Sequence, residues 1–297
     1  MTNMTNMTNM TSITTVTTQT TMTTQTKMTT LKIALCQMPV QTDKQTNLST
    51  AADMVGEAAT QGARLVVLPE MFNCPYSVQC FPDYAEEIPA GETANLLSAL
   101  AKTHSIFLVG GSMPERDSDR IYNTSPVFDP QGKLIARHRK IHLFDVNIQN
   151  GMVFTESLVL SSGGAVTVFE TPWSKIGLEI CYDIRFPELS RKMAGDGARV
   201  IIVPAAFNLT TGPVHWELLF RSRAVDNQIF MLGASPARNP QAEYQAYGHS
   251  LAVDPWGNII GQLDEKPGLL LAELDLARID EVRAAIPVWK QRREDVY

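Results

Sequence analysis

No Cys-x-x-Cys pair and no His-Glu-x-x-His run occurs in this sequence, so neither a structural nor a proteolytic zinc site is expected. Its four cysteines, Cys36, Cys74, Cys80 and Cys181, follow no metal-ligand spacing and are expected to stay free thiols in a reducing cytoplasm. Basic residues are not in excess: 25 Lys and Arg against 31 Asp and Glu give a net charge of -6. A nucleic-acid partner would need a basic face to neutralise phosphates, so none is expected. No apolar run approaches the roughly 20 residues needed to cross a bilayer, and no cationic start followed by an apolar core marks a signal peptide. Also missing are a Gly-x-Ser-x-Gly elbow, a Walker loop and a Gly-x-Gly-x-x-Gly turn after a strand. Serine-nucleophile, phosphate-loop and dinucleotide sites therefore drop out.

Residues 1–30 stand apart. They open MTNMTNMTNMTS and continue as Thr, Gln and Met, with Lys27 their only charge. Thr is a poor helix former, and too few bulky apolar groups are present to offset the entropy of ordering. The segment reads as a disordered tail, or as the result of a start placed too early, with Met28 the true beginning.

From Leu31 to Tyr297 the pattern is α/β, with no linker-like break, and is read as one domain. Short apolar runs (LKIALCQM, RLVVLPE, SIFLVGGS, TSPVFDP) alternate with helical stretches at 47–62 and 91–104. The theme repeats with AVTVFETP, KIGLEICYD, a helix at 187–196, RVIIVPAAF, a helix at 214–228 and IFMLGASPA. Strands this apolar should be covered on both faces. The pairs Asp129–Gly132 and Asp254–Gly257, each Asp-Pro-x-Gly, are turn chemistry between antiparallel strands, so the sheet is not purely parallel.

Polar residues recur where buried strands end. In LVVLPE the ladder stops at Pro69, which has no N–H to give, and Glu70 follows. In KIGLEICYDIRFPE, Cys181 closes the strand before a helix that opens near Pro187. Asn208, Thr210 and Thr211 follow RVIIVPAAF in the same way. Ligand crevices in open α/β sheets lie at the carboxyl ends of strands, so a carboxylate and a thiol at two such ends suggest one shared site. Each residue alone has a plainer reading. Cys181 could be a small buried hydrophobe, Glu70 a helix-start carboxylate, and Lys140 part of the solvated run ARHRK. His142 and His215 also stay open as partners for the thiol.

Taken in order, LPEMFNCPY, HRKIHLFD and GLEICYDIRFPEL resemble the three signature blocks of the nitrilase superfamily of carbon–nitrogen hydrolases, over about Leu31 to Tyr297. The resemblance implies a four-layer α-β-β-α sandwich, usually a homodimer, with a Glu–Lys–Cys site and no cofactor. Residue by residue, it makes Glu70 the base, Lys140 the cation and Cys181 the nucleophile. Glu156 falls where a second glutamate orients the lysine, and Tyr182 would give a backbone N–H to the oxyanion. Within the superfamily, AFNLTTGPVHWELLFRSRAVDNQ, ASPARN and IPVWKQRREDVY look like the ω-amidase branch. That branch releases ammonia from the terminal amide of 2-oxo dicarboxylate monoamides, such as 2-oxoglutaramate and 2-oxosuccinamate, through a cysteine thioester.

Such a substrate carries a far carboxylate. Arg185 is the candidate partner, because a guanidinium can hold a carboxylate bidentately, and Phe207 and Thr211 are candidates for the same pocket. Arg185 could instead form a structural salt bridge with Glu188. A sibling amidase acting on deaminated glutathione or an N-carbamoyl amine is the alternative within the superfamily. A catalytically silent binding scaffold is the alternative of another class. One residue departs from the resemblance: Glu179 stands where relatives mostly carry a small or apolar residue. Strand alternation places it on the same face as Cys181, where it would need a partner or another layer to point into.

Overall fold

Alternation in LKIALCQ gives the first strand two buried faces. In β1 (Thr30–Gln37), Leu31, Ile33 and Leu35 enter one hydrophobic cluster while Ala34 and Cys36 enter another. A computed structural model describes Met1 and residues 29–149, 152–293 and 295–296, so nearly all of the Thr-rich tail expected at 1–30 lies outside the described residues. The first half continues with α1 (Lys44–Thr60), β2 (Leu65–Val67), α2 (Phe81–Tyr84), α3 (Glu92–His104), β3 (Phe107–Val109), β4 (Met113–Asp117), β5 (Arg120–Phe128), β6 (Leu134–Arg139), β7 (Asp145–Asn147) and β8 (Val153–Thr155). The second half adds β9 (Thr167–Glu170), β10 (Lys175–Leu178), α4 (Pro187–Gly195), β11 (Ala198–Pro204), α5 (Gly212–Asn227), β12 (Phe230–Ala234), β13 (Leu251–Val253), β14 (Ile259–Gln262), β15 (Gly268–Asp275), α6 (Ala277–Ala285) and α7 (Val288–Gln291).

Two mixed sheets result. One runs β15-β1-β2-β3-β5-β4, with β6 on the other side of β5. Its β1, β2 and β3 are parallel, and β15 and β5 close them antiparallel. The other runs β14-β13-β12-β11-β10-β9, with β10, β11 and β12 parallel at its centre. Ile33, Val67 and Val109 from the first sheet meet Ile176, Ile202 and Leu232 from the second in one dry cluster. Each such side chain gains roughly 1.5–3 kcal/mol on burial, so this inter-sheet layer is a major source of stability. The outer face of the first sheet is covered by Leu48, Ala51 and Val55 of α1 and by Leu97 of α3. The outer face of the second is covered by Met193 of α4 and by Trp216 and Phe220 of α5. The four-layer α-β-β-α sandwich implied by the resemblance is therefore the observed architecture.

Both Asp-Pro-x-Gly turns join antiparallel partners, β5 to β6 and β13 to β14. In each, the Asp carboxylate accepts from two backbone N–H groups further along, and the glycine takes φ of +77° (Gly132) or +87° (Gly257). That left-handed backbone is open to glycine at little cost. Gly111, just past β3, serves the site directly. A Cβ there would lie 2.1 Å from the Pro69 carbonyl oxygen, so only glycine lets this loop close behind Glu70.

Candidate active site

The parallel strands β2, β10 and β11 deliver three loops to one place. Past β2, Pro69 ends the ladder and Met71 turns back at φ +50°, its N–H held by the Ser112 hydroxyl at 3.1 Å. Glu70, between them, is buried. Past β10, the chain leaves the sheet at Leu178, earlier than the sequence implied, and Cys181 begins a tight turn over Cys181–Arg185. Cys181 has φ +45°, a backbone that costs a non-glycine residue roughly 1–2 kcal/mol and that the packed surroundings must hold. Past β11, Ala206 gives its N–H to Glu70 Oε2 at 2.8 Å. Lys140 comes from the end of β6, where its backbone N–H donates to the Asn123 carbonyl at 2.8 Å.

Glu70, Lys140, Cys181 and Glu156 are thus brought together. Lys140 Nζ donates to Glu70 Oε1 at 3.0 Å and to Glu156 Oε1 at 2.9 Å, with all three side chains fully buried. Glu156 is fixed on its other oxygen by the Phe144 N–H at 2.7 Å. The Cys181 thiol is buried where it feels the charges of both Glu70 and Lys140. Two residues outside the sequence expectation complete the set. Asn123 Nδ2 donates to Glu70 Oε1 at 2.9 Å, and the Tyr76 hydroxyl donates to Glu156 Oε1 at 2.8 Å while standing 3.3 Å from Glu70 Oε1. Asn123 had left a signal: an amide inside the apolar strand RIYNTSPVF must meet a buried partner. Tyr76 sits in the first block, but nothing in its spacing distinguished it.

Two buried carboxylates around one ammonium decide the protonation states. Burial pushes the Glu70 carboxyl up, the Lys140 charge pulls it back, and the Glu156 charge pushes it up again, leaving it above the ordinary carboxylate value. Burial alone would lower the Lys140 ammonium, yet Glu156 and Glu70 hold it well above its ordinary value and keep it charged. Burial, reinforced by the Glu70 charge, pushes the Cys181 thiol well up against the pull of Lys140. Cys181 consequently rests as a neutral thiol.

Two cavities meet at Tyr76 and Tyr244, whose rings lie 4.4 Å apart. The one of about 700 Å³ touches Glu70, Cys80, Ala206 and Arg238, and the one of about 550 Å³ touches Phe154, Leu158, Asn208 and Thr210. Arg185 forms no ion pair with Glu188 among the described residues. Its guanidinium instead lies 3.2 Å from His215 Nδ1 and over the Phe207 ring at 5.0 Å. Burial, reinforced by the Glu70 and Glu156 charges, pushes the Tyr244 hydroxyl well up, and the Arg185 charge is felt there against that rise. Phe207 is buried against Trp216, and Thr211 turns its hydroxyl to Asn208 Oδ1 at 3.2 Å, so these two back the pocket more than they line it. Tyr182 directly follows the thiol and is half-buried, packed edge-on against Phe144 and Phe186. Glu179 has the partner it was expected to need: the Ser190 hydroxyl of α4 donates to its Oε1 at 2.6 Å. No group of three or more potential metal ligands occurs among the described residues, and no described helix is long and apolar enough to cross a membrane.

Residues 32–284 match the family described as carbon-nitrogen hydrolase. The chain is 50% identical to Omega-amidase NIT2 of Mus musculus over 270 residues, covering 91% of this chain and 98% of that one. Among solved structures it resembles Saccharomyces cerevisiae Nit3, a member of branch 10 of the nitrilase superfamily, with TM-score 0.83 and 45% identity over 89% of this chain and 97% of that one. It also resembles a mutant amidase from Nesterenkonia sp. AN1 that shows Michael addition of acrylamide at its active site cysteine. That match has TM-score 0.72 and 28% identity over 86% of this chain and 98% of that one.

Proposed function

The chain belongs to the carbon–nitrogen hydrolase family, and from that premise we propose that it is an ω-amidase. Its reaction is hydrolysis of the terminal amide of a 2-oxo dicarboxylate monoamide, 2-oxoglutaramate or 2-oxosuccinamate, to the 2-oxo acid and ammonia. The observation that carries the chemistry is the buried Glu70–Lys140–Glu156 cluster, whose charges are felt at the buried Cys181 thiol. The observation that carries the substrate class is the half identity to an ω-amidase along nearly the whole chain.

In this reading, Cys181 Sγ attacks the amide carbon as its proton passes to Glu70. The carbonyl oxygen takes up negative charge between Lys140 Nζ and the Tyr182 backbone N–H, which stabilise it. Glu70 returns the proton to nitrogen, ammonia leaves, and a thioester remains on Cys181. Glu70 then takes a proton from water as it adds to the thioester, and the thiol is regenerated. Glu156 and Tyr76 keep Lys140 aimed at the reacting oxygen. The far carboxylate meets Arg185, whose guanidinium is held by Phe207 and His215 and pairs with no carboxylate among the described residues. Residues 31–297 act as one catalytic unit in the cytoplasm. The unit pairs as a homodimer, a reading supported by the exposed apolar run Val214, Leu218 and Val225 along α5 beside Trp256. Light scattering should give twice the chain mass; a monomer at micromolar concentration would remove the pairing.

The deciding experiment is ammonia release from 2-oxoglutaramate, 2-oxosuccinamate, deaminated glutathione and an N-carbamoyl amine under equal conditions. Preference for the first two supports the assignment. Preference for either of the others reassigns the substrate, and no turnover of any of them defeats the enzyme reading.

A further inference from the structure

Asp183 lies two residues past the nucleophile and is fully buried, yet the reaction described above gives it nothing to do. Its carboxylate gathers donors from both catalytic loops. Oδ1 accepts from the His142 N–H at 2.9 Å and from His142 Nδ1 at 2.8 Å. Oδ2 accepts from His138 Nε2 at 3.1 Å and from the Ile180 N–H at 3.1 Å. His138 and His142 flank Lys140 by two residues on either side, and Ile180 immediately precedes Cys181. The Asp183 N–H donates back to the Ile180 carbonyl at 3.0 Å, closing the turn in which Cys181 takes its left-handed backbone. The outer ring atoms are fixed as well: His138 Nδ1 lies 2.9 Å from the Thr167 hydroxyl, and the His142 ring stacks on Phe186 at 3.5 Å.

We propose that Asp183 is a positioning residue that ties the segment carrying Lys140 to the turn carrying Cys181, holding the thiol in register with the Glu70–Lys140 pair. The proposal concerns how the proposed nucleophile is held, and so rests on the amide-hydrolase reading of the site. It also gives the two histidines of the second block a role: they grip the carboxylate from both sides of the lysine. Burial opposes the charge on Asp183, but the donors from His138 and His142 outweigh it and hold the carboxyl well below the ordinary range, so the tie stays intact at neutral pH.

Asparagine is the discriminating replacement because it keeps the shape. Each carboxylate oxygen faces a backbone N–H, of His142 on one side and of Ile180 on the other. Oδ2 also receives the Ile141 N–H at 3.5 Å. A histidine can change tautomer to meet an amide NH₂, but a backbone N–H cannot, so Asp183→Asn must lose a backbone bond, from His142 or from Ile180 and Ile141, whichever way the amide turns.

The test is the rate at which acrylamide alkylates Cys181, followed by peptide mass spectrometry on protein shown to be folded by its melting curve. Asp183→Asn should slow alkylation at least about tenfold, and kcat on 2-oxoglutaramate should fall about as much while KM stays within about twofold. A purely structural residue would lower the melting temperature and leave the per-molecule rates unchanged. Alkylation within about twofold of wild type overturns the proposal. Should Asp183→Asn fail to fold, His142→Phe decides: it keeps the stack on Phe186 and the backbone bond but removes one donor. Alkylation several-fold slower supports the tie, and a wild-type rate overturns it. Alkylation requires no substrate, so a wild type that ignores 2-oxoglutaramate would sink the ω-amidase reading and leave this test intact.

Discussion

Replacing Glu179 by glutamine should stabilise the protein, by an amount that depends on pH. The carboxyl is fully buried against α4, accepts one hydrogen bond from Ser190 on Oε1, and has no partner on Oε2 among the described residues. Burial is the main cause that moves it from its ordinary 4.5 up to about 8; the Asp183 charge adds to the rise, while Ser190 and Arg223 resist it. An acid whose folded value is raised makes the folded state bind more protons than the unfolded one. Stability therefore falls as pH climbs from 4.5, where the unfolded chain ionises, to about 8, where the folded protein does. At roughly 1.4 kcal/mol per unit, the window amounts to on the order of 3–5 kcal/mol. Glu179→Gln keeps the Ser190 bond and removes the titration. Urea unfolding should give similar stabilities for the two proteins near pH 4.5. Toward pH 8 the variant should pull ahead by several kcal/mol. A gain of the same size at both ends, or none at pH 8, would refute the assignment of Glu179 as a buried neutral acid.

Three further outcomes follow from the site. Tyr76→Phe keeps the ring against Tyr244 and Phe154 but deletes the hydroxyl donor to Glu156, so kcat should fall about tenfold with little change in melting temperature; an unchanged kcat would show that Lys140 needs no such support. The acid limb of kcat/KM should lie above the ordinary carboxylate value of 4.5, because Glu70 must be ionised to take the thiol proton and its carboxyl is raised. A limb at or below 4.5 in the pH–rate profile would mean another group is the base. Arg185→Lys keeps the charge but loses the fork, and should lower kcat/KM for 2-oxoglutaramate about tenfold while sparing a short neutral amide. Equal losses on both would make Arg185 structural.

Much of this was legible in the sequence, and the failures have physical causes. The Asp-Pro-x-Gly turns were readable because turn geometry is local. The alternation in LKIALCQ showed a strand buried on both faces, but periodicity cannot say whether a helix or another sheet does the covering. The second sheet came from the family resemblance. Glu70 and Cys181 stood out as polar groups at the ends of apolar runs and Lys140 came from the family resemblance, whereas Tyr76 and Tyr244 come from loops whose approach depends on the whole fold. Glu179 was read as needing a partner, and it has one in Ser190; the identity of that partner was not legible because it depends on α4 packing over the end of β10. Asp183 escaped notice because its role depends on β6 lying beside the nucleophile's turn, a contact no local pattern announces.

The account stands or falls on Cys181. Its most direct test is ammonia release from 2-oxoglutaramate by wild type and by Cys181→Ala, with the variant's melting curve confirming that the buried methyl is tolerated. Wild type should turn over steadily and the alanine variant should sit at background, since neither water nor another side chain can reach the amide carbon from the thiol's position. A folded Cys181→Ala protein that still releases ammonia at an appreciable fraction of the wild-type rate would contradict the mechanism.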